Sequence, residues 1–357
     1  MKTTTGLSSR ERVRLSLAHQ EADRVPIAMI CAGVTPPAMR DFQVYMRRER
    51  GVDAQSYLDA LLDVRGAGPD YVGPKLPPGQ DIWGVVRQAV SYGPGSYDEI
   101  ERYPLAGAGS VADLLKHPWP SPALFDYASL DANIAAAQAD GEKCLITSGG
   151  SVFETSWYMR GMENLMMDLI LNPDFAHALL ERVTDFYVEH VTRILEQARN
   201  RIDLAFTFDD IAGQDGLLMS LDMWEQFIKP CHVRLNRAIH QFGVKVVYHS
   251  DGAVMEAVPG LLDMGIDVLQ ALQFDAAGMD PAALKGRFGD RLCFEGGVSV
   301  QSTLPFGTVA DVRAEVAERI AVLGEGGGYI LGPSHAIQAG TPPENIAALF
   351  DTALDGK

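Results

Sequence analysis

An imidazole and a carboxylate, His249 and Asp251, stand two residues apart where the apolar run KVVYHSDG (245–252) turns polar. Residues i and i+2 of a strand project to the same face, so both side chains can aim into one cavity. Imidazole nitrogen with carboxylate oxygen suits a divalent first-row metal, zinc above all. Two ligands are too few, since an open catalytic zinc takes about three from the protein. His335, closing GGYILGPSH (327–335), is the natural third, and Glu295 in RLCFEGGVS (291–299) is a fourth ligand or a general base. The alternative is a buried histidine hydrogen-bonded to an aspartate with no metal.

The elements that must position these groups follow a rhythm. Short apolar runs at 143–151, 204–213, 244–252, 267–273, 291–299 and 327–335 end in polar residues, and amphipathic stretches such as 309–324 and 344–355 intervene. Strands alternating with helical segments indicate parallel βα units. With RVPIAMICAG (24–33) there are seven clear strand candidates for a (β/α)₈ TIM barrel. The eighth is expected near 268–273 or in the elaborated N-terminal third, and a doubly wound open sheet is the alternative fold. Barrel active sites lie at the C-terminal strand ends. Those ends carry Ser148 and Ser151, Asp209 and Asp210, His249 and Asp251, Gln273, Glu295, and Ser334 and His335. Each of Asp210, Ser151 and Asp251 alone has a second reading as a helix cap; six coincident polar endings point to one pocket.

Before the barrel rhythm begins, 7–20 is expected to be a helix capped by Ser8 or Ser9, and 35–62 to be helical in two pieces. The stretch 66–105 is rich in Gly, Pro and Tyr, which suggests short hairpin strands. The whole chain, 1–357, is read as one barrel domain with an elaboration over 66–120, of which 66–105 is a candidate homodimer surface. Net charge is −17 over 357 residues, with no basic run to offset it, so neither nucleic acid nor an anionic membrane is an expected partner. The four cysteines, Cys31, Cys144, Cys231 and Cys293, form no CxxC pair, which fits a reducing compartment. The first twenty residues lack a secretory apolar core, and a cytoplasmic location is expected. His177, His190, His232 and His240 fall in helical segments and are read as packing or surface residues.

The segments GPSHAIQAGTPPENI (332–346), FDDIAG (208–213) with LMSLDMWEQFIKPC (218–231), KVVYHSDG and RLCFEGGVSV resemble the uroporphyrinogen decarboxylase superfamily, which includes corrinoid-dependent methyltransferases. The resemblance spans about residues 7–356 and implies a (β/α)₈ barrel with its cleft at the C-terminal face. The porphyrinogen decarboxylases carry an Arg-Gln-Ala-Gly-Arg segment after the first strand. Here MICAGVTPPAMR (29–40) has no arginine before Arg40, which leaves a polycarboxylate poorly neutralised. The decarboxylases' catalytic aspartate after the second strand also has no match near DYVGPKLPPGQDIWG. The methyltransferase branch holds zinc with a His-x-Cys pair and a later Cys. His249 matches that histidine, Asp251 stands at the first Cys position and His335 at the later one. A His/Asp/His set is harder and more Lewis acidic than one with thiolates, which suits an oxygen or nitrogen leaving group.

The resemblance thus implies a methyltransferase that takes a methyl group from a small O- or N-methylated donor to a cobalt(I) corrinoid carried by a separate protein. His249, Asp251 and His335 are the expected ligands of zinc or another divalent first-row metal. Glu295, Asp209 and Asp210 are the candidate catalytic residues, supplying a proton or orienting substrate. Tyr248, Gln273, Trp157 and Ser334 are the candidate substrate-binding residues, with Tyr158 beside Trp157; core packing is the other reading of the aromatics. Two other functions compete: a metal-free lyase, decarboxylase-like, acting on a small acid through Asp209 and His335, and a non-catalytic sensor or assembly barrel.

Overall fold

The computed structural model describes residues 6–31, 33–93 and 95–355. Residues 1–5, on which part of the reading of the N-terminal stretch rests, and residue 356, the end of the resembling segment, lie outside them. Eleven strands follow in chain order. They are β1 (Val64–Gly66), β2 (Asp70–Tyr71), β3 (Val86–Ser91), β4 (Ser96–Arg102), β5 (Phe125–Asp126), β6 (Cys144–Gly150), β7 (Leu204–Phe208), β8 (Lys245–His249), β9 (Val268–Ala271), β10 (Cys293–Val298) and β11 (Tyr329–Pro333).

Seven strands form one parallel sheet in the order β1-β6-β7-β8-β9-β10-β11. Its two edges meet on the segment Pro26–Ala28. On one side Ala28 N donates to Leu331 O at 2.9 Å and Leu331 N to Pro26 O at 2.8 Å; on the other Asp63 N donates to Ile27 O at 2.8 Å. The result is the expected (β/α)₈ barrel, its first position filled by the segment around Ile27, which makes a single parallel bridge to Leu331 and no full strand. The eighth strand is β1, in the N-terminal third; at three residues it has no alternating pattern to read. The run 268–273 supplies β9 and five other apolar runs supply β6, β7, β8, β10 and β11, whereas 24–33 supplies only the bridge at Ile27.

Strand alternation sorts side chains between two cores. Ala28, Ile146, Leu204, Val247, Val268 and Ile330 point at the barrel axis. Val246, Tyr248, Leu269, Phe294 and Leu331 face the helices, and each side chain so buried contributes about 1.5–3 kcal/mol. The helix Ser9–Leu17 closes the N-terminal end of the barrel. Its cap is Ser8, which accepts from Glu11 N at 3.2 Å while Ser8 N donates to Glu11 Oε2 at 2.8 Å, and its Val13 and Leu17 plug the axis. Arg12 pairs with Asp63 at 2.8 Å and Arg14 with Asp203 at 2.8 Å. With that end stoppered, the accessible end is the C-terminal one. Helices Pro36–Arg50 and Ala54–Leu61 are the expected two pieces, and β3 and β4 form an antiparallel hairpin within 66–105. No helix among the described residues is long and apolar enough to cross a membrane.

Candidate metal and active site

Strand β8 places His249 at the C-terminal mouth with its ring facing the axis, two residues above Val247. In register with it on β9 is Gln270, whose Oε1 is hydrogen-bonded to His249 Nδ1. A carbonyl oxygen only accepts, so Nδ1 carries the proton and the lone pair of Nε2 faces the cleft. That is how a metal-binding histidine is commonly oriented.

Four further ligand-type side chains surround His249. Asp210 Oδ1 lies 3.5 Å from His249 Nε2, and Asp251 Oδ2 lies 3.8 Å from His335 Nε2. The rings of His249 and His335 are 5.7 Å apart between centroids. Two triads have all their ligand atoms within 4.8 Å of one another: Cys31, His249 and His335; and Asp210, His249 and Asp251. His249 is common to both groups, with Asp251 in one and His335 in the other, 3.8 Å apart, so the three expected ligands adjoin in pairs but are not themselves one of the two groups. Asp210, expected as an acid or base, stands among the ligand-type groups, and its Oδ1 also accepts from Asp251 N at 2.8 Å.

The electrostatics favour a cation. Burial raises the Asp251 pKa, helped by neighbouring Asp210 and opposed by the two imidazoles. Burial, with Asp210 and Asp209 nearby, pushes Glu154 from its ordinary 4.5 to about 8. Burial and the surrounding carboxylates push the Cys31 thiol to about 12. Beside the cluster a cleft of about 440 Å³ is lined by Gln273, Gln301, Phe306, Ser334, Gln338 and Thr341, among others, with Asp251 and His335 at its edge. Neither lysine nor arginine is among its lining residues. Carboxylates crowded with imidazoles beside a cleft without lysine or arginine, and an imidazole lone pair directed outward, fit a divalent first-row metal.

Other expected site residues lie elsewhere. Asp209 is fully buried. Its carboxylate accepts from Glu154 N at 2.7 Å, Phe153 N at 2.9 Å and Val152 N at 3.3 Å, at the start of the helix Phe153–Arg160, and lies 2.5 Å from His232 Nε2. It anchors a helix and does not reach the cleft. Tyr248 alternates with His249 and therefore faces the helices; its ring packs edge-on against His232, and its hydroxyl donates to Asp209 O at 3.2 Å. Trp157 is half-buried against Tyr158, ring centroids 4.2 Å apart, and is not among the residues lining the cleft. Glu295 is fully buried, in neither ligand triad, because β10 runs three residues past it. Gln270 approaches it, yet neither carboxylate oxygen makes a well-formed hydrogen bond among the described residues, and burial raises its pKa to about 8. Gln273 and Ser334 do line the cleft. Gln273 Oε1 accepts from Gly252 N at 2.8 Å, which ties the Asp251 turn to β9.

Three residues at the site were not anticipated. Cys31 follows the closing segment Pro26–Ala28 and obeys the same polar-ending pattern as the strands. Gln270 is polar within an apolar strand. Glu154 accepts from Asp210 N at 2.8 Å and from the Tyr158 hydroxyl at 2.7 Å; nothing in the sequence distinguishes it from other helix glutamates.

A parallel barrel whose C-terminal mouth gathers imidazoles, carboxylates and a thiol has the architecture of an enzyme. The family model described as uroporphyrinogen decarboxylase (URO-D) matches residues 88–355, and the chain belongs to that family. A uroporphyrinogen decarboxylase from Anaeromyxobacter dehalogenans is 27% identical over 197 residues, 54% of this chain and 51% of that protein. A methylated-thiol–coenzyme M methyltransferase from Methanosarcina mazei is 26% identical over 209 residues, 58% of this chain and 52% of that protein. The chain thus spans about half the length of these curated relatives. A solved structure of a methyltransferase from Methanosarcina mazei superposes with a TM-score of 0.67 at 20% identity, covering 98% of this chain and 99% of the other; that likeness is one of fold.

Proposed function

We propose that the protein is a metal-dependent methyltransferase that demethylates a small O- or N-methylated compound and passes the methyl group to a corrinoid protein. The observation that carries this reading is the pair of overlapping ligand groups that share His249, one with His335 and one with Asp251, beside a cleft lined by neither lysine nor arginine. The likeness to a methyltransferase within the URO-D family supports it.

His249, Asp251 and His335 hold the cation, with Asp210 adjacent. When bound, a divalent metal supplies Lewis acidity to the heteroatom from which the methyl group departs. Gln270 fixes the imidazole of His249 with Nε2 toward the cleft. Glu154, buried and with its pKa raised to about 8, accepts from Asp210 N and the Tyr158 hydroxyl and so holds the Asp210 backbone in place beside the cluster. Gln273, Ser334 and the amides beyond them bind a small polar donor. A porphyrin polycarboxylate is poorly served there, since recognition of several carboxylates calls for arginines that the cleft lacks. The metal-free lyase needs Asp209 as its acid, and Asp209 is committed to four hydrogen-bonding partners under a helix.

The test is incubation of the zinc- or cobalt-loaded protein with a cobalt(I) corrinoid and a panel of small methyl ethers and methylamines. Methyl–cobalt formation by absorbance, dependent on His249, is expected. Carbon dioxide release from small acids by chelator-treated protein, with no methyl transfer, would overturn the reading.

A further inference from the structure

Cys31 is half-buried, just beyond the Pro26–Ala28 segment that closes the barrel. The loop after that segment is pinned to the loop after β11: Ile337 N donates to Gly33 O at 2.9 Å and Thr35 N to Ile337 O at 2.9 Å. Cys31 and His335 each lie two residues before one of these bonded positions. The pairing therefore holds the thiol against the imidazole, and both against His249, all three ligand atoms within 4.8 Å.

We infer that Cys31 is a sulfur ligand of the same cation, joining His249 and His335 from just beyond the closing segment. This rests on the metal-dependent reading above and goes beyond the His/Asp/His set. A tetrahedral zinc with bonds of about 2.0–2.3 Å brings ligand atoms to roughly 3.5 Å from each other, so closure by about 1 Å suffices. As the sulfur–metal bond forms, the thiol releases one proton to solvent. Burial first, and the neighbouring carboxylates after it, hold the free thiol protonated; the cation offsets the charge of those carboxylates. A thiolate with two imidazoles selects zinc or cobalt over magnesium or manganese, and it softens a centre that Asp251 alone would leave hard. The other three cysteines are buried, with no metal-ligand cluster around any of them among the described residues, so a sulfur signature from a single bound ion reports on Cys31.

The experiment is loading the metal-free protein with cobalt(II) and recording its absorption spectrum, with no substrate present. Visible ligand-field bands together with a near-ultraviolet thiolate-to-cobalt charge-transfer band are expected. Cys31→Ser should keep the ligand-field bands, lose the charge-transfer band and bind zinc at least tenfold more weakly. Wild-type ligand-field bands without the charge-transfer band would overturn the inference and leave the metal site standing, as would a charge-transfer band that survives in Cys31→Ser. Absence of any cobalt band would remove the metal-dependent reading and this inference with it. Alkylation of wild-type Cys31, followed by peptide mass, needs no variant: one equivalent of zinc should slow it at least tenfold, and an unchanged rate counts against ligation.

Discussion

Replacing Asp209 by alanine separates the two adjacent aspartates of FDDIAG. Asp209 satisfies three backbone amides at the start of Phe153–Arg160, and its partner His232 is fully buried. Each buried donor left without an acceptor costs about 1–3 kcal/mol, and water entering the new space recovers part of it. The expected loss is roughly 3–5 kcal/mol, from the three orphaned amides at that rate less what water recovers. Asp210 is partly exposed, at 42% of its side chain, so Asp210→Ala should cost no more than about 1 kcal/mol. Guanidinium unfolding of the two metal-free variants measures both. Asp210→Ala should weaken metal binding, whereas folded Asp209→Ala should still take up one equivalent. An Asp209→Ala protein within about 1 kcal/mol of wild type, yet inactive, would show that the hydrogen bonds were misread and that Asp209 belongs to the chemistry.

Further outcomes are expected. Glu295 releases its proton near 4.5 when unfolded and near 8 when folded, so the unfolded state binds fewer protons in between. Stability of the metal-free protein therefore falls as pH rises from about 4.5 to about 8; Glu295→Gln should flatten that decline in unfolding midpoints. At about 1.4 kcal/mol per pH unit, the gain at pH 8 is capped at about 5 kcal/mol. Glu154 contributes a slope of the same sign, so some decline should persist in the variant. Gln270→Ala frees the His249 ring and should lower zinc affinity about 10–100-fold by competition titration. Metal at a hundred times its dissociation constant should stabilise the wild type by about 2.7 kcal/mol, reversed by chelator, and His249→Ala should show neither effect.

The barrel was legible because apolar runs with polar endings recur along the chain, and each long strand has enough residues to show the pattern. β1 escaped because three residues carry no periodicity. At the mouth, the rule that strand ends bear the chemistry located His249, Asp251 and His335, yet adjacent residues were not separated. Alternation sends Tyr248 outward once His249 points in, and it separates buried Asp209 from cleft-facing Asp210. Where pairing stops is a property of neighbouring strands, so β10 carried Glu295 deeper than its sequence position suggested. In the sequence Cys31 stands out only as one of four scattered cysteines, because the loop pairing that brings it to His335 joins opposite ends of the chain. The partnership of His249 with Gln270 depends on strand register, which the sequence does not display.

The central claim is a cation held between His249 and its neighbours at the barrel mouth. Crystals of protein loaded with one equivalent of zinc, measured on both sides of the zinc absorption edge, test it directly. The expected result is one strong anomalous peak at bonding distance, about 2.0–2.1 Å, from His249 Nε2, with His335 and Asp251 around it. Zinc elsewhere on the molecule, or a cluster that gathers only water at full loading, would contradict it.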